Sequence, residues 1–188
     1  MDNRQAILAH ALDLFASRGY DAVGVQAICT AAGITKPTLY HYFGSKQGLL
    51  AALVEERIAP LLAQLAEVTT YRGDLPHTLT QLVHIYFGFA RTEPVVYRLM
   101  LGLWFGPTTG EAFQIIVACI QEQHRLVEEL FAWATADHGN MRGRQRIYAA
   151  TLLGTINIRV TMALNGFGDL DDTVVYQTVH QFSHGIYS

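Results

Sequence analysis

The segment AVGVQAICTAAGITKPTLYHYFGSK, residues 22–46, holds two short helices and the tight turn between them. Ala31, Ala32 and Gly33 supply the small residues that let two helices cross closely. Gly33 stands where the first of them needs a left-handed C-cap. Ile34 follows as an apolar plug between the helices, Thr35 is an N-cap residue for the next one, and Pro37 is tolerated in a first turn, where no intrahelical N–H is required. The segment therefore reads as a helix-turn-helix.

In the second of the two helices Leu39 and Phe43 are four apart and share the buried face. The opposite face carries Pro37 and His41, flanked by Lys36, Thr38 and Tyr40. A short helix with that outer face suits a DNA major groove: Lys and His donate to phosphates or purine edges, Thr hydrogen-bonds or touches a thymine methyl, and Tyr reaches the backbone. Ser45 is expected to cap the long helix that follows, with Lys46 in its first turn as a phosphate clamp. The expected DNA-contacting set is Gln26, Thr35, Lys36, Pro37, Thr38, Tyr40, His41, Tyr42 and Lys46, and the expected partner is double-stranded DNA.

Upstream, Ile7, Leu8, Ala11, Leu12, Leu14 and Phe15 form a helical stripe closed by Gly19. With these residues, the chain resembles the TetR family of bacterial transcriptional regulators. The resemblance rests on residues 7–15, Gly19-Tyr20, Ile28, Ala32-Gly33-Ile34, Thr38-Leu39-Tyr40, Tyr42-Phe43, Lys46 and Leu49-Leu50. It covers the first quarter of the chain. One departure is Val23-Gly24-Val25, where the family often has Ser or Thr to cap the second helix and touch phosphate. DNA affinity is then expected to lean on Lys36, Lys46 and the tyrosines.

The rest of the chain also reads as helices, about nine in all, with no convincing strand, so the fold class is all-α. Pro60 falls inside the long fourth helix and is expected to kink it. Punctuation at residues 73–76, 93–94, 106–110, 137–140, 165–166 and 169–172 separates the later helices. Residues 1–46 are read as the helix-turn-helix DNA-binding domain and 47–188 as a ligand-binding and dimerisation domain.

The resemblance implies a homodimer, which would place two reading helices about 34–36 Å apart on a near-palindromic operator. Ala150, Gly154 and Ile158 form a small-residue ridge, and Val175, Val179, Phe182 and Ile186 form an apolar stripe; together they are the expected dimer seam. The resemblance also implies a cavity for a small apolar effector. Fifteen aromatic residues lie after residue 70, and Phe87, Trp104, Phe113, His124 and Asn157 are the candidate ligand residues, the last two as polar groups interrupting apolar stripes. The stripes and aromatics equally fit the chain's own core.

Composition narrows the alternatives. The 188 residues are 51% hydrophobic and 15% charged, with a net charge of −3. Disorder is excluded. The acidic balance hides a partition: residues 1–46 carry four basic and three acidic residues, the remainder nine and thirteen. Cys29 and Cys119 are far apart and show no metal or disulfide pattern. His180 and His184 have metal-compatible spacing without a third ligand, so a solvated helix face is the expectation and no metal or cofactor is. No signal region opens the chain and no run of about 18 apolar residues occurs, so no membrane partner is expected and a cytoplasmic setting fits. No nucleophile elbow, phosphate loop or HExxH motif is present. The reading is a ligand-responsive repressor released by an apolar molecule. The alternative is a helical enzyme or carrier holding a lipid-like ligand.

Overall fold

A computed structural model describes residues 2–185. Among the described residues there are nine α-helices and no strand. They are α1 (Asn3–Arg18), α2 (Val25–Ala32), α3 (Lys36–Phe43), α4 (Lys46–Val68), α5 (Leu75–Thr92), α6 (Pro94–Trp104), α7 (Glu111–Ala134), α8 (Gln145–Leu164) and α9 (Asp172–His184), with a single 3-10 turn at Gly139–Met141 before α8.

The helix ends follow the capping chemistry. Asp2, Asp74 and Asp171 accept from the backbone N–H groups of Arg4, His77 and Val174 at the starts of α1, α5 and α9. Gly24 begins α2 in extended backbone with no side-chain cap, the consequence of the missing hydroxyl residue there. α6 runs through Gly102 to Trp104, two residues before Gly106.

The chain forms two compact units, residues 1–60 with 95–120, and residues 61–94 with 121–188. One boundary falls directly after Pro60, inside α4, and another inside α7. In the first unit Ile7, Leu8, Ala11, Leu12 and Phe15 of α1 are buried, with Ile28, Leu39, Leu49 and Leu50. In the second, α5 packs against α8 and α9. Leu82, Val83, Tyr86, Phe87, Val127, Phe131, Leu152, Ile156 and Val175 are fully enclosed there. The buried polar pair of that unit is Tyr86, whose hydroxyl donates to Gln123 Oε1 at 2.9 Å.

α8 has no single apolar face: its leucines and isoleucines are spread around the helix among threonines, Asn157 and Arg159. It buries Ala149, Leu152, Leu153, Ile156 and Val160, yet leaves Ile147 and Ile158 at 66% and 56% exposure. By length and composition alone it is the one helix among the described residues that could cross a bilayer, with a mean hydropathy of 1.4.

Candidate nucleic-acid interface

The turn between α2 and α3 is closed by Gly33 in the left-handed region, φ 65° and ψ 32°, with its N–H directed at the carbonyls of Cys29 and Thr30. The Ile34 N–H then donates back to Cys29 O at 3.0 Å, which satisfies the last carbonyls of α2 and sets the direction of α3.

α3 fully buries one side chain of its own, Leu39, and half-buries Phe43. Burying one leucine contributes about 1.5–3 kcal/mol, so an eight-residue helix needs help from its ends. At the C-terminal end the carbonyl of Phe43 lies where a Cβ on Gly48 would be, 2.1 Å away. Only glycine lets α4 start this close to α3. Ser45 caps α4 by accepting the Gly48 N–H at 2.9 Å. The Arg4 guanidinium lies over the Phe43 ring, 5.5 Å from its centroid, and pairs with Glu56 of α4. Gln5 donates to the same carboxylate at 3.2 Å. Arg4, foremost through its hydrogen bond, holds the Glu56 carboxyl below its usual range.

So positioned, α3 turns Lys36, Pro37, Tyr40, His41 and Tyr42 to solvent, with Tyr40 and Tyr42 at 45% and 37% exposure. Thr35 occupies the N-cap position but makes no cap bond; its hydroxyl meets that of Thr38 at 2.9 Å. Gln26 is exposed on α2. The structure thus brings eight of the nine expected contact residues to the α2–α3 unit.

Lys46 is the ninth, and its cation faces inward. Its Nζ donates to the carbonyls of Tyr20 and Val23, each at 3.1 Å, and lies 4.0 Å from the Tyr20 ring centroid. Two of its three N–H groups therefore tie the start of α4 to the α1–α2 turn, so that without DNA this side chain serves as a brace. Tyr20 in turn donates to Glu111 at 3.0 Å. Burial first, then that bond, raises its phenol far above the ordinary range. Neither Gly48 nor the Lys46 brace is visible in the motif, because both depend on which backbone carbonyls come near.

The expected ligand residues are dispersed. Trp104 and Phe113 stack at 5.5 Å in the first unit. Phe87 is sealed in the core of the second, where His124 and Asn157 are half-buried. Two clefts of that unit are bordered by other residues. One, of about 340 Å³, is polar, with Glu67, Arg72, Asp74 and His77 in its wall. The other, of about 300 Å³, has Leu75, Leu79, Phe131, Tyr148 and Phe182.

The expected seam residues divide. Ala150, Gly154 and Ile158 are exposed on α8. Val175 and Val179 are buried in the chain's own core, and Phe182 packs on Phe131 at 5.8 Å. The α9 stripe thus packs on the chain's own core, and Ile186 lies outside the described residues. The outward face of α9 carries Tyr176, His180 and His184 as a row of rings, with centroids 5.5 and 4.4 Å apart.

Comparison with known proteins agrees with this geometry. The family model described as bacterial regulatory proteins, tetR family, matches residues 7–53. The chain is 29% identical over 188 residues to the HTH-type transcriptional activator FasR of Mycolicibacterium smegmatis, covering 98% of this chain and 82% of that one. It is 30% identical over 137 residues to the HTH-type transcriptional regulator UidR of Escherichia coli K12, covering 71% of this chain and 65% of the relative. In fold it matches the fatty acid degradation regulator FadR of Bacillus halodurans, with a TM-score of 0.80, 21% identity, and 100% and 97% of the two chains covered. FadR of Bacillus subtilis, solved in complex with stearoyl-CoA, also gives a TM-score of 0.80, at 20% identity over 97% and 99%. These relatives are regulators and not enzymes, and the chain is a DNA-binding transcriptional regulator of the bacterial TetR family.

Proposed function

We propose that this regulator is a ligand-responsive repressor which binds a near-palindromic operator as a homodimer and is released by an apolar small molecule. The observation that carries the DNA half is α3 itself: one buried leucine behind, and Lys36, Pro37, Tyr40, His41 and Tyr42 in front. A helix with so little of its own core and so much aromatic and cationic surface has a groove as its natural counterpart.

The dimer half rests on α8. Ile147, Thr151, Gly154, Ile158 and Met162 recur at helical spacing on a face that the chain leaves bare, interrupted by small residues that permit close helix approach. A second copy of the same face is the counterpart that two-fold pairing supplies. We assign that face to a partner helix and not to lipid, because the same helix packs into its own unit through Leu152, Leu153 and Ile156. In this reading residues 1–46 read DNA and residues 47–188 carry the effector and the seam.

An effector acts only by binding one of two conformations better. The stearoyl-CoA complex of the Bacillus subtilis protein of the same fold supports an apolar effector. The similarity to a transcriptional activator supports a second reading, in which this chain promotes transcription from the same DNA site.

The test is retardation of DNA from the chain's own upstream region over a salt series. Tyr40→Ala is expected to weaken binding about tenfold with the dimer intact. Lys36→Ala is expected to lower the salt slope by about 0.9 for the lost phosphate contact. Wild-type affinity and slope in both variants would remove α3 as the reader. A reporter under the same promoter, with and without the regulator, separates repression from activation.

A further inference from the structure

We infer that the aromatic cleft beside the start of α8 is a binding site for an aromatic carboxylate. The inference rests on the ligand-responsive reading and names a place and a chemistry for it.

The cleft is built within the second unit by the first turns of α5, the end of α7, the 3-10 turn, the start of α8 and the end of α9. Its floor is apolar: Leu75, Pro76, Leu79 and the rings of Phe131, Tyr148 and Phe182. The three rings form a triangle, with centroids 5.7, 5.8 and 6.3 Å apart and interplanar angles of 52°, 44° and 83°. Phe131 is fully buried and backs the wall; the half-buried Tyr148 and Phe182, nearly perpendicular, offer an edge and a face, the two arrangements in which aromatic groups attract a further ring. The volume of about 300 Å³ sits at the lower end of small-molecule sites. It suits a bicyclic ring system better than a long chain.

The polar groups lie at one side. His138, Tyr148 and Ser183 border the cleft, and among the described residues none of their side chains makes a hydrogen bond. The charge beside them is positive. Arg142 directly follows Met141, which borders the cleft. Arg144 is the N-cap residue of α8, and the Tyr148 N–H donates to its carbonyl at 3.0 Å. Both arginines are exposed, and neither is in an ion pair among the described residues. The neighbouring acid, Asp137, accepts the Tyr71 hydroxyl at 2.8 Å, and Asp74 caps α5. An apolar floor bordered by hydroxyl and imidazole groups, with two exposed arginines close in sequence to its lining, matches a flat ring bearing one carboxylate. The other cleft of the same unit lacks the phenyl and phenol rings, and its wall sets Glu67 and Asp74 beside Arg72 and His77.

The experiment titrates the full chain with 2-naphthoate and with 2-naphthalenemethanol, the same ring without the charge, by calorimetry at neutral pH. Binding of the acid is expected, with the alcohol about tenfold weaker. The Arg142→Gln, Arg144→Gln double variant is expected to lose that preference while keeping the alcohol's affinity. Met141→Trp, at a half-buried position on the border, is expected to fill the cleft and abolish both, with a wild-type melting profile certifying its fold. The site is refuted if wild type does not bind the acid, if acid and alcohol bind alike, or if folded Met141→Trp binds as wild type does. DNA retardation in the same titration separates the two claims. Loss of DNA as the acid saturates supports both, whereas saturation with DNA affinity unchanged leaves the site standing and overturns the ligand-responsive reading.

Discussion

α3 and α8 face outward by opposite means. α3 buries one of its eight residues and shows lysine, histidine and tyrosine to solvent. α8 buries five residues and still shows Ile147, Ile158 and Met162. A polar outer face on a short helix is stable in water and waits for a ligand of complementary charge. An apolar outer face is costly until covered, at about 25 cal/mol per Å² left wet. On the proposed reading, the first helix meets an intermittent partner and the second a lasting one.

The sharpest way to break this contrast is at the support of α3, which comes almost wholly from outside the helix. Gly48→Ala places a Cβ where the Phe43 carbonyl now lies, so α3 and α4 must separate. A loss of about 2–4 kcal/mol in urea denaturation is expected, with DNA retardation falling alongside. An unchanged midpoint would show that α3 gives way freely and that its placement is not held by this contact.

The next largest effect tests α8. Ile158→Asp puts a carboxylate at the centre of the bare face, and one from each chain would be buried close to the other. Sedimentation is expected to show monomer at concentrations where wild type is dimer, with about a hundredfold weaker association. A dimer that persists would move the lasting partner to another surface.

The smallest effect sharpens the division between reading and bracing. Lys46→Met keeps the apolar stem and removes the ammonium that grips the Tyr20 and Val23 carbonyls. About 1 kcal/mol of stability, read as a fall of about 2–4 °C in melting temperature, is expected. The salt slope of DNA binding should stay where it was. A lower slope with unchanged melting would mean that Lys46 swings to phosphate when DNA binds.

Much of the reading region was legible in the chain, because its determinants are local. Gly33, Pro37 and Ser45 act on backbone within four residues of themselves, and Leu39 and Phe43 define an inner face by spacing alone. Lys46 escaped the same reasoning since its partners, Tyr20 and Val23, lie more than twenty residues away. On α9, Val175, Val179 and Phe182 do form the apolar stripe their spacing implies. Periodicity reports that a face is covered, not what covers it, and here the cover is the chain's own Phe131 and Tyr148. α8 resisted for a related reason: its apolar residues are spread around the helix among Arg146, Asn157 and Arg159, and mark no single outward direction.

The Thr35–Thr38 pair carries one last consequence. Two hydroxyls 2.9 Å apart share one hydrogen, and either oxygen can be its donor. If Thr35 gives its proton to Thr38, then Thr38 has a proton free to offer outward and Thr35 has only lone pairs; if the bond reverses, so do these roles. The swap is a rotation of two hydrogens with no heavy atom displaced. A neighbouring group that donates and one that accepts are thus met equally well at the start of α3. Such a pair is ambivalent about polarity: on the proposed reading of α3 it would fix where a contact with the duplex lies and leave open which letter supplies it.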